Sequence, residues 1–227
     1  MDAVTAPVLA IEGTYGLAAL FGGPLREVVL SDRLQIHAIS LKPYACCRLF
    51  HSTIDALAQL TDNFHMPTSA IREIVISGPQ LIADQHMLAQ PTSTMAAQYS
   101  CPYIVGATLS YGPYRYDAYG DAFLDDPSIR RIAQRVRFEL SETLMQYYPS
   151  RFATGARIDL QDGTTRSSVV VDSVGTPAKP LTIEQIIAKG DGLAPKNKAT
   201  PVGKTLAGLL WDEAQGARAL AQALARA

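Results

Sequence analysis

The densest run of reactive side chains in this 227-residue chain is Lys42-Pro43-Tyr44-Ala45-Cys46-Cys47-Arg48-Leu49-Phe50-His51, with Asp55 four residues further on. Lys42 and Arg48 are cations suited to holding carboxylates. Arginine offers a planar fork that can bind both oxygens, and lysine a point charge whose protonation responds to burial. His51 can give or take a proton near neutral pH. On a helix, His51 and Asp55 share one face, so Asp55 is placed to orient the imidazole. The plain alternatives are a solvated lysine at a strand end, a capping or packing histidine, and cysteines serving as small buried apolar groups.

A second stretch, Gln98-Tyr99-Ser100-Cys101-Pro102-Tyr103, carries hydroxyls on Ser100 and Tyr103 that suit an anionic ligand. Its alternative is a helix start, with serine as cap and the tyrosines in the core. Tyr111, Tyr114, Tyr116 and Tyr119 read as packing or an interface, because the single basic residue among them, Arg115, falls short of the basic interleaving of a base-stacking platform. His37, His65 and His86 are scattered, with no HxH or HExxH spacing to hold a metal. The sequence has no GxGxxG, P-loop or GxSxG, which leaves nucleotide-cofactor and serine-hydrolase readings without support.

Composition narrows the field further. Lys plus Arg is 20 and Asp plus Glu 21, a formal net charge of −1, so no global field attracts a polyanion. No apolar run reaches the ~18–20 residues of a membrane span, and the N-terminus lacks the basic flank of a signal peptide. Three cysteines, two of them adjacent and none in a CxxC, make a poor disulfide framework. The expectation is a reduced, cytoplasmic protein.

The elements that must position these residues form a mixed set. Val4 to Phe21 is partly helical in spacing. Leu34 to Leu41 alternates as a strand that Pro43 stops. Ser52 to Phe64 has a helical apolar face, and Ile71 to Ser77 reads as a strand closed by Gly78-Pro79. Gln80 to Pro91 reads as a loop, and Thr92 to Tyr111 as a helix broken near Pro102. Tyr116 to Phe123 and Pro127 to Gln134 are short helices, the second capped by Asp126 with Pro127 at its first position. Arg135 to Leu140 is a short strand. Arg157 to Leu160 and Thr165 to Val171 flank Asp162-Gly163 as a hairpin. Thr182 to Ala188 and Val202 to Leu224 are helical, while Thr176 to Pro180 and Gly190 to Pro201 look like linkers. Helices interleaved with about four strands and a late hairpin predict an α+β fold rather than a doubly wound parallel sheet.

At this point the sequence resembles a known family. Leu41-Lys42-Pro43-Tyr44-Ala45-Cys46-Cys47-Arg48, with His51 and Ile54-Asp55 behind it, is similar to the lysine motif of the MmgE/PrpD family. That family includes 2-methylcitrate dehydratase, cis-aconitate decarboxylase and iminodisuccinate epimerase. The resemblance continues in register. Glu12 to Gly16 and Leu20 to Gly23 look like the segment ahead of the lysine motif. Gln98-Tyr99-Ser100 with Pro102-Tyr103 looks like the "FSLPY" element, and Asp125-Asp126-Pro127 with Ile129 looks like the "DP" stretch. Asp159 to Gly163 and Pro180-Leu181-Thr182 look like the late hairpin and the helix after it. Three features depart from the pattern. Ala45 stands where proline is common, Ser110-Tyr111-Gly112-Pro113 replaces a Leu-Asp-Gly run, and Gly190-Asp191-Gly192 interrupts a helix that relatives continue.

The resemblance implies a small α+β domain at 35–175. It would be flanked by a helical segment at 1–34 and by a linker and C-terminal helices at 176–227 that belong to an otherwise missing all-helical domain. It also implies a cofactor-independent, metal-free lyase of dehydratase or decarboxylase type acting on a citrate- or aconitate-like polycarboxylate. Lys42 and His51 would be catalytic, with His51 as either an acid/base or a supporting group. Arg48, Cys47, Ser100 and Tyr103 would position carboxylates. A separate polypeptide would supply the N-terminal helical domain and close the site, in a dimer or hetero-oligomer, and the Met1 start favours a naturally separate subunit. Two other readings remain open: a non-catalytic partner that stabilises a full-length homologue, and an epimerase or isomerase of the same family.

Overall fold

The computed structural model describes residues 38–193 and residue 208. The expected helices over Val4–Phe21 and Val202–Leu224, and most of the expected strand at Leu34–Leu41, lie outside the described residues. The described part of that expected strand, Ala38 to Leu41, contains no strand.

Four strands form one mixed sheet in the order β2-β1-β3-β4. β1 (Ile71–Gly78) pairs in parallel with β2 (Val136–Leu140), setting Ile74 opposite Val136. On its other side β1 runs antiparallel to β3 (Thr154–Leu160), with Ile74 opposite Ile158, and β3 runs antiparallel to β4 (Thr165–Val170). The fold is α+β, as the pattern predicts. Nothing in the strands' own sequences announced the parallel β1–β2 pair.

The hairpin forms where Asp162-Gly163 called for it. Asp162 Oδ1 accepts from the Thr164 amide at 2.9 Å and hydroxyl at 2.7 Å, and Gly163 takes φ +88°. β3 starts earlier than its apolar pattern suggested, at Thr154. It is paired on both sides and buried along almost its whole length, so its neighbours rather than its own alternation define it. β4, on the edge, is mostly exposed and polar.

Helix α1 (His51–Leu60) lies on β3 and β4. Ile54, Leu57 and Leu60 form its apolar stripe, and Thr53 donates to Thr154 at 3.2 Å. The apolar spacing extends to Phe64, but the helix stops at Leu60. Asp62, Asn63 and Phe64 all take positive φ (54°, 53° and 67°), and the Thr61 hydroxyl donates back to the Leu57 carbonyl at 2.7 Å. Asn and Asp tolerate this left-handed region better than most residues, so the local chain outcompetes the helix.

α2 (Leu81–Gln85) is a single short helix inside the expected loop. The expected break near Pro102 falls at Ser100, between α3 (Thr94–Tyr99) and α4 (Cys101–Tyr111). α4 is buried around its whole circumference from Cys101 to Leu109, the mark of an interior helix. It packs on α5 (Pro127–Ala133), whose start is capped by Asp126 accepting from the Ser128 and Ile129 amides at 2.8 and 3.0 Å. Tyr116 to Phe123 forms two 3-10 turns rather than an α-helix. α6 (Glu142–Met145) follows β2.

The last described helix corrects the sequence reading. α7 (Ile183–Leu193) continues through Gly190-Asp191-Gly192 instead of breaking there. Gly192 is useful at its position, because a Cβ would come within 3.0 Å of the Tyr116 ring. No helix among the described residues is long and apolar enough to cross a membrane.

Candidate active site

The lysine segment is an irregular stretch that bends from Pro43 to Cys46 and is held by hydrogen bonds to distant parts of the chain. The Leu41 amide donates to the Gly175 carbonyl at 2.8 Å. Arg48 Nη1 donates to the carbonyls of Leu41 and Val174, each at 3.3 Å, and to His51 Nδ1 at 2.9 Å. Lys189, on α7, donates from Nζ to the Lys42 carbonyl. Gln98 grips the next residues: its side-chain amide donates to the Ala45 carbonyl at 3.0 Å, and its own carbonyl accepts from the Cys47 amide at 2.8 Å.

These contacts fix the state of His51. Arginine has no acceptor, so Nδ1 must accept, and the ring proton sits on Nε2, where it faces the Cys46 carbonyl at 3.4 Å. The ring is fully buried. Burial, reinforced by the neighbouring Arg48 cation, pulls its pKa from 6.5 down to about 3. His51 is therefore neutral at physiological pH with both nitrogens engaged. This geometry supports the supporting role over the acid/base role.

A testable consequence concerns acid stability. The unfolded chain takes up a proton at His51 below about pH 6.5, and the folded protein resists it until about pH 3. The contribution is intact above pH 6.5 and is lost as pH falls through this window. At pH 5 the loss is on the order of 2 kcal/mol. In urea denaturation at pH 7 and pH 5, wild type is expected to lose that much more stability than His51→Gln. An equal drop in both proteins would contradict the buried neutral ring.

Asp55 does not orient His51, contrary to the expectation from their spacing. Its Oδ1 accepts from the Tyr44 hydroxyl at 2.6 Å, and its Oδ2 accepts from the Val174 amide at 2.7 Å, with Lys179 Nζ at 3.7 Å. The carboxylate is only 5% exposed. Burial, then the adjacent Asp55 charge, drives the Tyr44 hydroxyl far above its usual pKa, so it stays a donor.

The hydroxyls of Ser100 and Tyr103 have backbone partners within the fold. Ser100 donates to the Leu88 carbonyl at 2.5 Å and accepts from the Tyr103 amide at 3.1 Å as the cap of α4. Tyr103, almost fully buried, donates to the carbonyls of Ala118 and Phe123, each at 2.9 Å. The residue that ties this stretch to the lysine segment is Gln98, its first residue, for which no role of its own was expected. Cys47 is half-buried beside Arg48, and burial pushes the neighbouring Cys46 thiol up to about 12. All three cysteines are free thiols.

The local field is positive. Arg48, Lys42 and Lys189 all act on His51 in the sense that opposes a further positive charge. Lys42 itself is exposed. Arg48 is half-buried, and its second terminal nitrogen, Nη2, is buried with no hydrogen-bond partner among the described residues. Two clefts reach the lysine segment through Pro43 and Tyr44, and neither is lined by Lys42, Arg48 or His51. One, of about 300 Å³, is lined by Pro43, Tyr114, Tyr116, Leu181, Gln185 and Lys189. The other, of about 520 Å³, is lined by Tyr44, Asp55, Asn63, Phe64, Tyr114 and Lys179. The Tyr114 side chain borders both and is 56% exposed. No cluster of three or more His, Cys, Asp or Glu side chains suited to a metal occurs among the described residues.

No curated protein matches the chain significantly. A family model, the MmgE/PrpD C-terminal domain, matches residues 44–199, a span that takes in the arginine, the buried histidine, the sheet and α7. A match over more than half of the sequence settles the relationship, and the chain belongs to the MmgE/PrpD family through its C-terminal domain.

Proposed function

We propose that this chain is a subunit of a cofactor-independent lyase acting on a citrate- or aconitate-like polycarboxylate, with its site completed by a helical-domain partner. The observation that carries the reading is the state of Arg48. One terminal nitrogen is fixed by His51 and two carbonyls, while the other is a buried cationic donor with no partner among the described residues. A buried donor without an acceptor is costly, and a substrate carboxylate that gains access to it as the partner completes the site supplies the strongest acceptor available to a guanidinium. Lys42, exposed and six residues before Arg48, would meet a second carboxylate.

In this reading a base contributed by the partner removes a proton α to a carboxylate. Lys42 and Arg48 stabilise the enolate-like charge that develops, and Lys42 or a partner acid assists the departing group. Cys47, half-buried and next to Arg48 in the chain, would be a further contact to a carboxylate. Apolar side chains near the lysine segment, Ile39, Leu41, Ile183 and Ile186, are substantially exposed, which suits a surface that another protein covers.

The test is to express the chain alone and together with a helical domain of an MmgE/PrpD protein. Each preparation is then assayed with 2-methylcitrate, cis-aconitate and iminodisuccinate. Co-purification with turnover only in the pair is the expected result. A stable, inactive homodimer that binds no polycarboxylate would instead favour the non-catalytic partner.

A further inference from the structure

We infer that Asp55 is a positioning residue: it fastens the 173–179 turn against the lysine segment, so that the far end of the domain sets where Lys42 stands. The inference rests on the reading of Lys42 as a substrate-binding group.

The turn reads in sequence as a linker, yet it is an ordered structure. The Thr176 amide donates to the Ser173 carbonyl at 3.2 Å, the Lys179 amide to the Thr176 carbonyl at 3.0 Å, and the Gly175 amide to the Lys179 carbonyl at 2.8 Å. It touches the lysine segment through independent contacts. The Leu41 amide reaches the Gly175 carbonyl, and Arg48 joins the Leu41 and Val174 carbonyls. Asp55 closes the arrangement from beneath, joining Tyr44, two residues past the lysine, to Val174 and Lys179 in the turn. Lys42 is thus bracketed: Leu41 on one side and Tyr44 on the other are both tied to the same turn.

The approach is close enough to exclude a side chain. Gly175 has φ +87°, and a Cβ there would lie 2.1 Å from the Leu41 carbonyl oxygen. Asp55 sits on α1, which is anchored in the core by Ile54 and Leu57, so the fastener itself is rigid. A buried carboxylate accepting from a hydroxyl and an amide has no simple substitute, because removing it takes away the acceptor of both donors.

The experiment is residue-resolved amide hydrogen exchange on the full chain, with turnover measured in the co-expressed pair. In Asp55→Ala the Leu41 amide, which Asp55 does not touch, is expected to exchange at least about tenfold faster, while Ile76 in the sheet keeps its protection. Turnover is expected to fall by a similar factor, and Asp55→Asn to recover part of both. If Asp55→Ala also loses protection at Ile76, Gly175→Ala asks the same question from the other side. There the Val174 amide, still facing Asp55, is expected to exchange faster. Unchanged exchange at Leu41 in a folded Asp55→Ala protein, or at Val174 in Gly175→Ala, overturns the clamp. Faster exchange with wild-type turnover overturns the positioning role. Failure of the underlying reading looks different: Lys42→Ala would retain turnover, whatever the exchange shows.

Discussion

Lys42→Ala is expected to reduce turnover of the assembled enzyme by about three orders of magnitude or more while leaving folding and assembly intact. The two halves of this expectation come from different atoms. The structural contacts at this position belong to the main chain. The Lys42 carbonyl accepts from Lys189, and the neighbouring Leu41 amide and carbonyl bind Gly175 and Arg48. Alanine preserves all of them. The side chain is exposed, so truncation opens no cavity in the core. What disappears is a cation placed where negative charge develops on the substrate, and such charges count for most at the transition state. Arg48→Lys is a useful companion. Lysine keeps the charge but cannot bridge His51, Leu41 and Val174 while offering a further donor, so that variant is expected to lose both stability and activity. Near-normal turnover in Lys42→Ala, with a wild-type melting curve, would remove this lysine from the site.

The fold was largely legible because local signals agreed with it. Asp162-Gly163 specified the hairpin, Asp126-Pro127 the start of α5, and the apolar spacing of Ile54, Leu57 and Leu60 a helix. Boundaries failed where tertiary contact decided. α1 ended early in a left-handed turn, and α7 ran through two glycines. The site was legible in part. The lysine segment stood out by residue type, and the supporting alternative for His51 was already open. Its actual supports were not legible, because they come from far along the chain. Val174, Gly175 and Lys179 lie more than a hundred residues from Asp55 or Leu41, where the expected domain gives way to a stretch that reads as a linker. The pairing of His51 with Asp55 was the natural reading of an i, i+4 spacing. It fails because Arg48 takes the imidazole and Tyr44 takes the carboxylate.

Gly106→Leu is expected to prevent the domain from folding. Gly106 lies in the fully buried middle of α4, where α5 crosses it. A Cβ at this position would come within 2.5 Å of the Ile129 carbonyl oxygen and 3.1 Å of its Cγ2. The obstacle is backbone, and Ile129 is itself fully buried, so no flexible side chain can yield. Alanine gains about 1 kcal/mol of helix propensity over glycine, but the clash forces the two helices apart along a packed interface. Overpacking of this kind costs about 1–3 kcal/mol or more, against a typical domain stability of about 5–15 kcal/mol. Gly106→Ala is therefore expected to fold with a lowered melting temperature, and the leucine, with three further carbons in the same contact, not to fold. The consequence reaches the site through a short chain of contacts. α4 begins at Ser100, whose cap fixes the junction with α3, and Gln98 at the end of α3 holds Ala45 and Cys47. In Gly106→Ala the Cys47 amide is accordingly expected to lose exchange protection before the hairpin amides of β3 and β4 do. A leucine variant with wild-type melting would show that the helices separate freely, and would break the link between this crossing and the lysine segment.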